Sequence, residues 1–241
     1  MIEYRKFLAF NAMIADETVN RRQMPDLMGM TNGIMSYSPL TVIFTGVRGI
    51  RNTLVDLRRM PEKVYAACDA IYEFQMKSFD FNPEDYTQPW PWAFSCYHPE
   101  GFVSPKVFEQ IFFKYFKKTM QPFMQKGMKC FLMGEGNFLN TIDCFRELPK
   151  GAMIIQLDAD DPFAAYEKIG DWCTLMTGIT VDRLALSSKT ECVDYVKRSF
   201  DTFAPGGGFI FHPNAPLMSI KDAKVENVKA VYEVADRLSR Q

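Results

Sequence analysis

Apolar and polar positions follow a helical period in some segments of this chain and a strand-like pattern in others. The two kinds of segment alternate from about residue 61 onward. The segment "PEKVYAACDAIYEFQMKSF" carries apolar residues at helical spacing behind Pro61, so it predicts an amphipathic helix. The short run "WAFSC" at 92–96 predicts a buried strand. A long helix follows it, with Ser104 as the capping residue and Pro105 at the first position. An alternation of this kind is typical of α/β proteins.

The same alternation continues to the carboxyl end of the chain. Strands are predicted in "MKCFLMG", "GAMIIQLD", "CTLMTG" and "GGGFIF", with a weaker strand in "RLALS". Helices are predicted in "NFLNTIDCFREL", "DPFAAYEKIG", "KTECVDYVKRSFDTF" and "DAKVENVKAVYEVADRL". Nearer the amino end, "SPLTVIFTG" fits a strand or the start of a helix, and "YRKFLAFNAMI" fits a helix. Short continuous apolar runs between amphipathic helices indicate parallel strands that are covered on both faces.

The pattern predicts an α/β fold of the (β/α)8 TIM-barrel type. Such a barrel needs about eight strands and about 250 residues. With 241 residues and too few visible βα units, we expect the barrel to be incomplete at its amino end. We expect one domain over residues 1–241, with a helical lead-in at 1–37 and the βα units at 38–241. Because an unclosed barrel exposes strand edges, a homodimer or a partner chain that completes it is expected.

Composition and charge narrow the class of protein. Lys plus Arg total 28 against 29 for Asp plus Glu, so the chain lacks the basic excess of a nucleic-acid binder. No apolar run approaches the roughly 18 residues that cross a bilayer, so we expect no membrane partner and a cytoplasmic protein. The six cysteines contain no CxxC pair and are interpreted as reduced thiols.

The candidate reactive side chains lie where the predicted strands end. In parallel α/β proteins the loops after the strands converge at one end of the sheet or barrel, so these side chains are expected to lie close together. Thiolate, imidazole and carboxylate groups together suit zinc. One hypothesis is therefore a metal or acid–base site, with substrate-pocket residues around it. Its metal ligands would be Cys96, His98, Glu135 and His212, and its substrate-pocket residues would be Asp158, Asp160 and Asn137.

A structural interpretation of the same residues stays open. His98 fits an exposed loop, His212 fits a strand end before Pro213, and the acidic run "DADDP" fits the start of a helix. The glycines of "GEGN" lack the spacing of a phosphate loop and favour a tight turn that projects Glu135. The glycines of "APGGGF" favour a structural role before the last strand. Arg48, in the turn "VRG", fits either a solvated charge or an anion contact.

Three segments in order resemble a known family: "GFVSPKVFEQIFFKYFKKTMQPFMQKGMKCFLMGEGN", "APGGGFIF" and "DAKVENVKAVYEVA". They resemble the uroporphyrinogen decarboxylase superfamily, which includes cobalamin-linked methyltransferases, and the resemblance spans about residues 38–239. It implies a (β/α)8 barrel with the site at its carboxyl-terminal mouth. It further implies transfer of a methyl group between a small methylated compound and a corrinoid protein as partner. Glu135 and His212 would be the catalytic residues that polarise the methyl-bearing atom, and a zinc ion would stabilise a leaving oxygen or thiolate as a Lewis acid.

The chain also departs from this family at its reactive positions. The decarboxylase tyrosine would fall near Thr45 and the decarboxylase histidine near Ala215. The His-x-Cys pair of the thiol-directed methyltransferases falls on Met133 and Glu135. Three functions therefore stay open: a corrinoid-linked methyltransferase, a uroporphyrinogen decarboxylase of porphyrin biosynthesis, and a non-catalytic or split-barrel subunit.

Overall fold

The computed structural model of the chain describes residues 34–78, 92–97 and 102–240. The chain divides into two compact units, Met1–Met133 and Gly134–Gln241. The helix predicted in "YRKFLAFNAMI" and the residue His98 lie outside the described residues. In the described parts, no helix combines the length and the apolar character that crossing a bilayer requires.

The described residues of the first unit form three strands and a set of helices. In chain order these are β1 (Ile34–Tyr37), α1 (Pro39–Val42) with a π-helical turn (Ile43–Val47), α2 (Ile50–Arg59), α3 (Pro61–Ser78), β2 (Trp92–Tyr97), α4 and β3 (Lys129–Gly134). Helix α4 consists of Pro105–Phe108, a π-helical turn at Glu109–Phe113, and Lys114–Gln125. Strand β1 pairs in parallel with β2, and β3 is the next strand. The Ser38 hydroxyl accepts a hydrogen bond from the Thr41 N–H, so "SPLTVIFTG" begins a helix and not a strand.

The core of the first unit is built from aliphatic and aromatic side chains of α1, α3 and α4. Leu40, Phe44, Cys68 and Tyr115 pack in one buried cluster. Along α4, the Phe108 and Phe112 ring centroids lie 4.5 Å apart. The phenylalanines of α4 therefore serve as core residues, and burial raises the pKa of the Cys68 thiol to about 12.

The second unit contains the remaining strands, with a helix or a helical turn between them. In chain order these are a 3₁₀ helix (Ile142–Glu147), β4 (Met153–Gln156), α5 (Pro162–Ile169), β5 (Thr174–Ile179), α6 (Val181–Leu186), α7 (Lys189–Phe203), β6 (Phe209–Pro213) and α8 (Val225–Leu238). Strands β4, β5 and β6 are neighbours in that order, and both pairings are parallel. The α/β fold predicted from the sequence is confirmed, whereas closure into a barrel stays a prediction.

Helices α7 and α8 cover one face of β5 and β6. The rings of Phe209 and Phe211 pack against Phe200 of α7, at centroid distances of 5.3 Å and 5.7 Å. Side chains alternate between the two faces of a strand. His212 of β6 therefore projects to the face opposite the one that α7 and α8 cover.

Two sequence predictions for this unit need correction. The weak strand predicted in "RLALS" is wrong, because these residues belong to helix α6, which Thr180 caps by accepting the Arg183 N–H. A five-residue apolar run fits either element, so its pattern alone decides nothing. The helix predicted in "NFLNTIDCFREL" is reduced to the 3₁₀ helix, because the segment before it forms a turn in which the Thr141 and Ile142 N–H groups both donate to the Phe138 carbonyl oxygen.

The "EN" motif of α8 has a structural role. Asn227 is fully buried, and its Nδ2 donates to the carbonyl oxygens of Leu184 (3.0 Å) and Ser187 (3.1 Å). These are the carbonyl groups at the carboxyl end of α6, which lack partners within that short helix. Asn227 thus fixes the α6–α7 turn to the first turn of α8.

Candidate functional site

Two aspartates join the loop that follows β3 to the loop that follows β4. Asp160 accepts hydrogen bonds from the backbone N–H groups of Phe138 (2.7 Å) and Leu139 (2.9 Å). Asp158 Oδ2 accepts a third, from the Gly136 N–H at 3.0 Å. The two residues predicted to line a substrate pocket therefore direct their carboxylates at backbone amides and hold one loop against the other.

Asp160 is the most buried carboxylate of this network, with 7% of its surface exposed. Burial raises the pKa of its carboxyl group, because the charged form is disfavoured away from water. The hydrogen bonds from Phe138 and Leu139 oppose this rise, and the nearby charge of Asp158 adds to it. The next residue, Asp161, caps α5 by accepting the Phe163 N–H at 2.8 Å, as the helix-start interpretation of "DADDP" predicts.

Asn214 connects the ends of three strands, and sequence reasoning did not single it out. Its Nδ2 donates to the Asp158 carbonyl oxygen (3.0 Å) after β4, and its Oδ1 accepts the Val181 N–H (2.9 Å) after β5. Its own backbone N–H donates to the Ile179 carbonyl oxygen at 3.0 Å. An amide side chain directly after a strand was the available signal, since only Asn and Gln both donate and accept in this way.

Glu135 directly follows β3 and is half-buried. The chain turns sharply after it, because Gly136 adopts a left-handed φ of 102°. This is the tight turn that the "GEGN" segment predicts. Asn137 is exposed, and its Oδ1 accepts the Leu139 N–H at 3.2 Å, which makes it a turn residue of this loop.

His212, the next-to-last residue of β6, is half-buried, and its ring makes one hydrogen bond. Its Nδ1 is hydrogen-bonded to the carbonyl oxygen of Pro213. A carbonyl group can only accept, so Nδ1 carries the proton and Nε2 keeps its lone pair. Burial lowers the pKa of the imidazole below its ordinary value of 6.5, although the bond to Pro213 partly opposes this. At neutral pH the ring is therefore uncharged, and among described residues Nε2 has no hydrogen-bond partner.

The described residues contain no group of three His, Cys, Asp or Glu side chains placed to hold a metal ion. Of the four predicted metal ligands, Glu135 and His212 are described, whereas the Cys96 side chain and His98 lie outside the described residues. Two ligands fall short of the three that a catalytic zinc site requires. The zinc hypothesis thus stays a prediction, and the two described candidates, Glu135 and His212, lie at the ends of strands that are separated by β4 and β5 in the sheet.

Comparison with known proteins identifies a solved structure with a similar fold. No protein-family model and no curated protein sequence matches the chain. Among solved structures, it is similar to a methyltransferase from Methanosarcina mazei, with a TM-score of 0.57 and 15% sequence identity over 86% of this chain. The chain spans 58% of the length of that methyltransferase. At this identity the likeness shows a shared α/β fold and leaves the activity to be argued from the site.

Proposed function

We propose that this chain is a corrinoid-linked methyltransferase of the uroporphyrinogen decarboxylase superfamily, built on a fold of the (β/α)8 barrel type. It would move a methyl group between a small methylated compound and the corrinoid of a partner protein. The observation that carries the proposal is His212, which keeps an uncharged Nε2 acceptor at the carboxyl end of β6. The fold shared with the methyltransferase from Methanosarcina mazei supports it.

The proposed role of His212 follows from the proton balance of methyl transfer. The methyl group moves without its bonding electron pair, so an acceptor X–H that takes it must release its proton. The neutral imidazole would take this proton at Nε2 as the new X–CH₃ bond forms. In the reverse direction the imidazolium would return the proton to X as the methyl group leaves. The corrinoid, when its carrier protein is bound, supplies the other methyl-binding atom.

Glu135 would act from the loop after β3 by polarising the methyl-bearing atom. Its placement is supported by the turn at Gly136 and by the bond from the Gly136 N–H to Asp158, which hold this loop against the end of β4. Pre-organised charge of this kind costs no rearrangement during the reaction. Because the described residues do not supply three metal ligands, no step of this proposal is assigned to zinc.

The test uses the purified chain with free methylcobalamin and a panel of small thiols, amines and alcohols as methyl acceptors. Loss of the methylcobalamin absorbance reports transfer. His212→Asn is the informative variant, since the shorter amide can still donate to the Pro213 carbonyl oxygen but lacks an Nε2 acceptor. We expect it to lower the transfer rate by about 10²-fold, while His212→Gln, which keeps a polar atom near Nε2, loses less.

Asn140→Ala provides the matched control, because Asn140 is an exposed residue of the same loop region. It should leave the transfer rate unchanged. The proposal would be contradicted by a wild-type chain that demethylates methylcobalamin with none of these acceptors, or by a His212→Asn variant as active as the wild type. Release of carbon dioxide from uroporphyrinogen without methyl transfer would favour the decarboxylase instead.

A further inference from the structure

We propose that a pocket between helices of the first unit binds a small organic carboxylate. The pocket has a volume of about 220 Å³ and lies among the π-helical turn after α1, helix α2 and helix α3. None of its lining residues takes part in the strand-end site described above. The inference therefore goes beyond the proposed methyl transfer and does not depend on it.

The walls of the pocket are aliphatic and set the size of the ligand. Ile43, Met60, Val64 and Ile71 line it. A cavity of about 150 Å³ accommodates benzene, so a pocket about half as large again holds roughly nine non-hydrogen atoms. Val47, at its edge, leaves 73% of its surface exposed. A pocket with mostly apolar walls and a few charged groups at its edge is typical of small-molecule sites.

The charged side chains around the pocket indicate the charge of the ligand. Two cationic side chains, Arg48 and Lys63, line the pocket together with one carboxylate, Asp56. Arg48 Nε lies 2.8 Å from Asp56 Oδ2, so Asp56 occupies one edge of the guanidinium group. Arg48 has further N–H donors, and among the described residues Lys63 forms no ion pair. The excess of one positive charge favours a monoanion.

These observations together define the chemical class of the ligand. A compact apolar body would lie against Val64 and Ile71, and a single carboxylate would meet Lys63 and the remaining donors of Arg48. Benzoate and hexanoate have the required size and charge. The buried hydroxyl of Thr53 is already used, since it donates to the Gly49 carbonyl oxygen at 2.9 Å. Recognition of the head group therefore falls to the two cations.

Isothermal titration of the full chain with benzoate tests this inference, and benzyl alcohol serves as the neutral ligand of nearly the same shape. We expect benzoate to bind roughly fivefold more tightly than benzyl alcohol at low salt, with the difference shrinking as ionic strength rises. Equal affinities for the two compounds, or no benzoate binding below ~10 mM, would overturn the proposal.

Two neighbouring alanines of α3 supply a matched pair of variants. Both are exposed, but Ala67 lines the pocket and Ala66 does not. Ala67→Phe should abolish benzoate binding by filling the pocket, and Ala66→Phe should leave it intact. Equal loss in both variants would contradict the assigned position. Circular dichroism of each variant checks that the helix is still formed.

Lys63→Met keeps the proposal testable even if Ala67→Phe does not fold. This variant should weaken benzoate binding roughly threefold and leave benzyl alcohol binding unchanged, because it removes charge and keeps the aliphatic stem. An unchanged benzoate affinity would overturn the role of Lys63. A dimer that Ala67→Phe dissociates, in a chain that binds no benzoate, would show instead that a second copy occupies the pocket.

Discussion

The strand-end loops of the second unit and the helical pocket of the first unit both gather charged side chains, but the two regions use them in opposite ways. In the loops, Asp158 and Asp160 accept hydrogen bonds from buried or half-buried backbone amides. At the pocket, Arg48 and Asp56 bind each other in solvent-exposed geometry beside aliphatic walls. Carboxylates that serve backbone amides build the architecture. A ligand must instead be bound by groups that still have a donor or acceptor atom without a partner among the described residues, such as His212 and Lys63.

The largest effect is expected at Asp160. Asp160→Ala leaves the Phe138 N–H without its acceptor and the Leu139 N–H with only its longer bond to Asn137, and the free energy of unfolding should fall by about 2 to 4 kcal/mol. Urea denaturation measures this, with Asp201→Ala on the exposed surface of α7 as the control, for which we expect less than about 0.5 kcal/mol. An equal loss of stability in both variants would show that Asp160 does not hold the loop that follows β3.

Gly178 of the second unit and Gly46 of the first unit allow the tightness of packing in the two units to be compared. A Cβ atom added at Gly178 of β5 would lie 2.5 Å from the Phe211 ring, whereas one added at Gly46 would meet nothing within 4 Å. Gly178→Ala should cost about 1 to 3 kcal/mol through overpacking, and Gly46→Ala should be neutral or slightly stabilising. Thermal unfolding of the two variants gives the answer. A destabilised Gly46→Ala variant would show that the first unit is packed as tightly there as the second.

His212 provides a pH-dependent test of the second unit. Its pKa in the folded chain should lie below 6.5, because burial disfavours the charged ring. The folded chain then prefers the neutral imidazole, so its contribution to stability is present above pH 6.5 and is lost as the pH falls through the lowered pKa. NMR titration of the ring protons measures this, and the spectrum of His212→Asn assigns the signal. A pKa at or above 6.5 would contradict the buried, neutral ring.

The smallest effect is expected at Asp56. Asp56→Asn removes the only carboxylate among the residues that line the pocket and releases Arg48. Benzoate should then bind roughly twofold to fourfold more tightly, with little change in the urea midpoint because the ion pair is exposed. Titration of this variant beside the wild type measures the difference. Weaker benzoate binding would mean that Asp56 orients Arg48 for the ligand and does not compete with it.

The secondary structure could largely be predicted from sequence where local signals agreed. Helix α7 was predicted over its full length, since apolar periodicity coincides with the capping box of Ser188 and Glu191. The segment "RLALS" was mistaken for a strand because five residues do not establish a period. The loop between β3 and the 3₁₀ helix is held by Asp160, a residue about 20 positions away in sequence, which no local pattern reveals.

The ends of the strands were predicted more reliably than the roles of the polar side chains that lie there. Glu135 and His212 do lie at the carboxyl ends of β3 and β6, because strand ends follow from the apolar runs. The roles of Asp158 and Asp160 depend on which backbone amides approach them, and that is set by loop packing. Asn214 went unnoticed for the same reason, since its three partners lie at the ends of two other strands.

The sequence by itself determined the α/β class, most of the helices and strands, and the strand ends at which polar side chains collect. Periodicity and capping are local properties of the sequence, so they can be recognised without knowledge of the fold. Only the tertiary structure decided that Asp160 holds a loop, that the His212 proton sits on Nδ1, and that Arg48 and Lys63 meet at one pocket. These outcomes depend on distances between residues far apart in the chain, which packing alone sets.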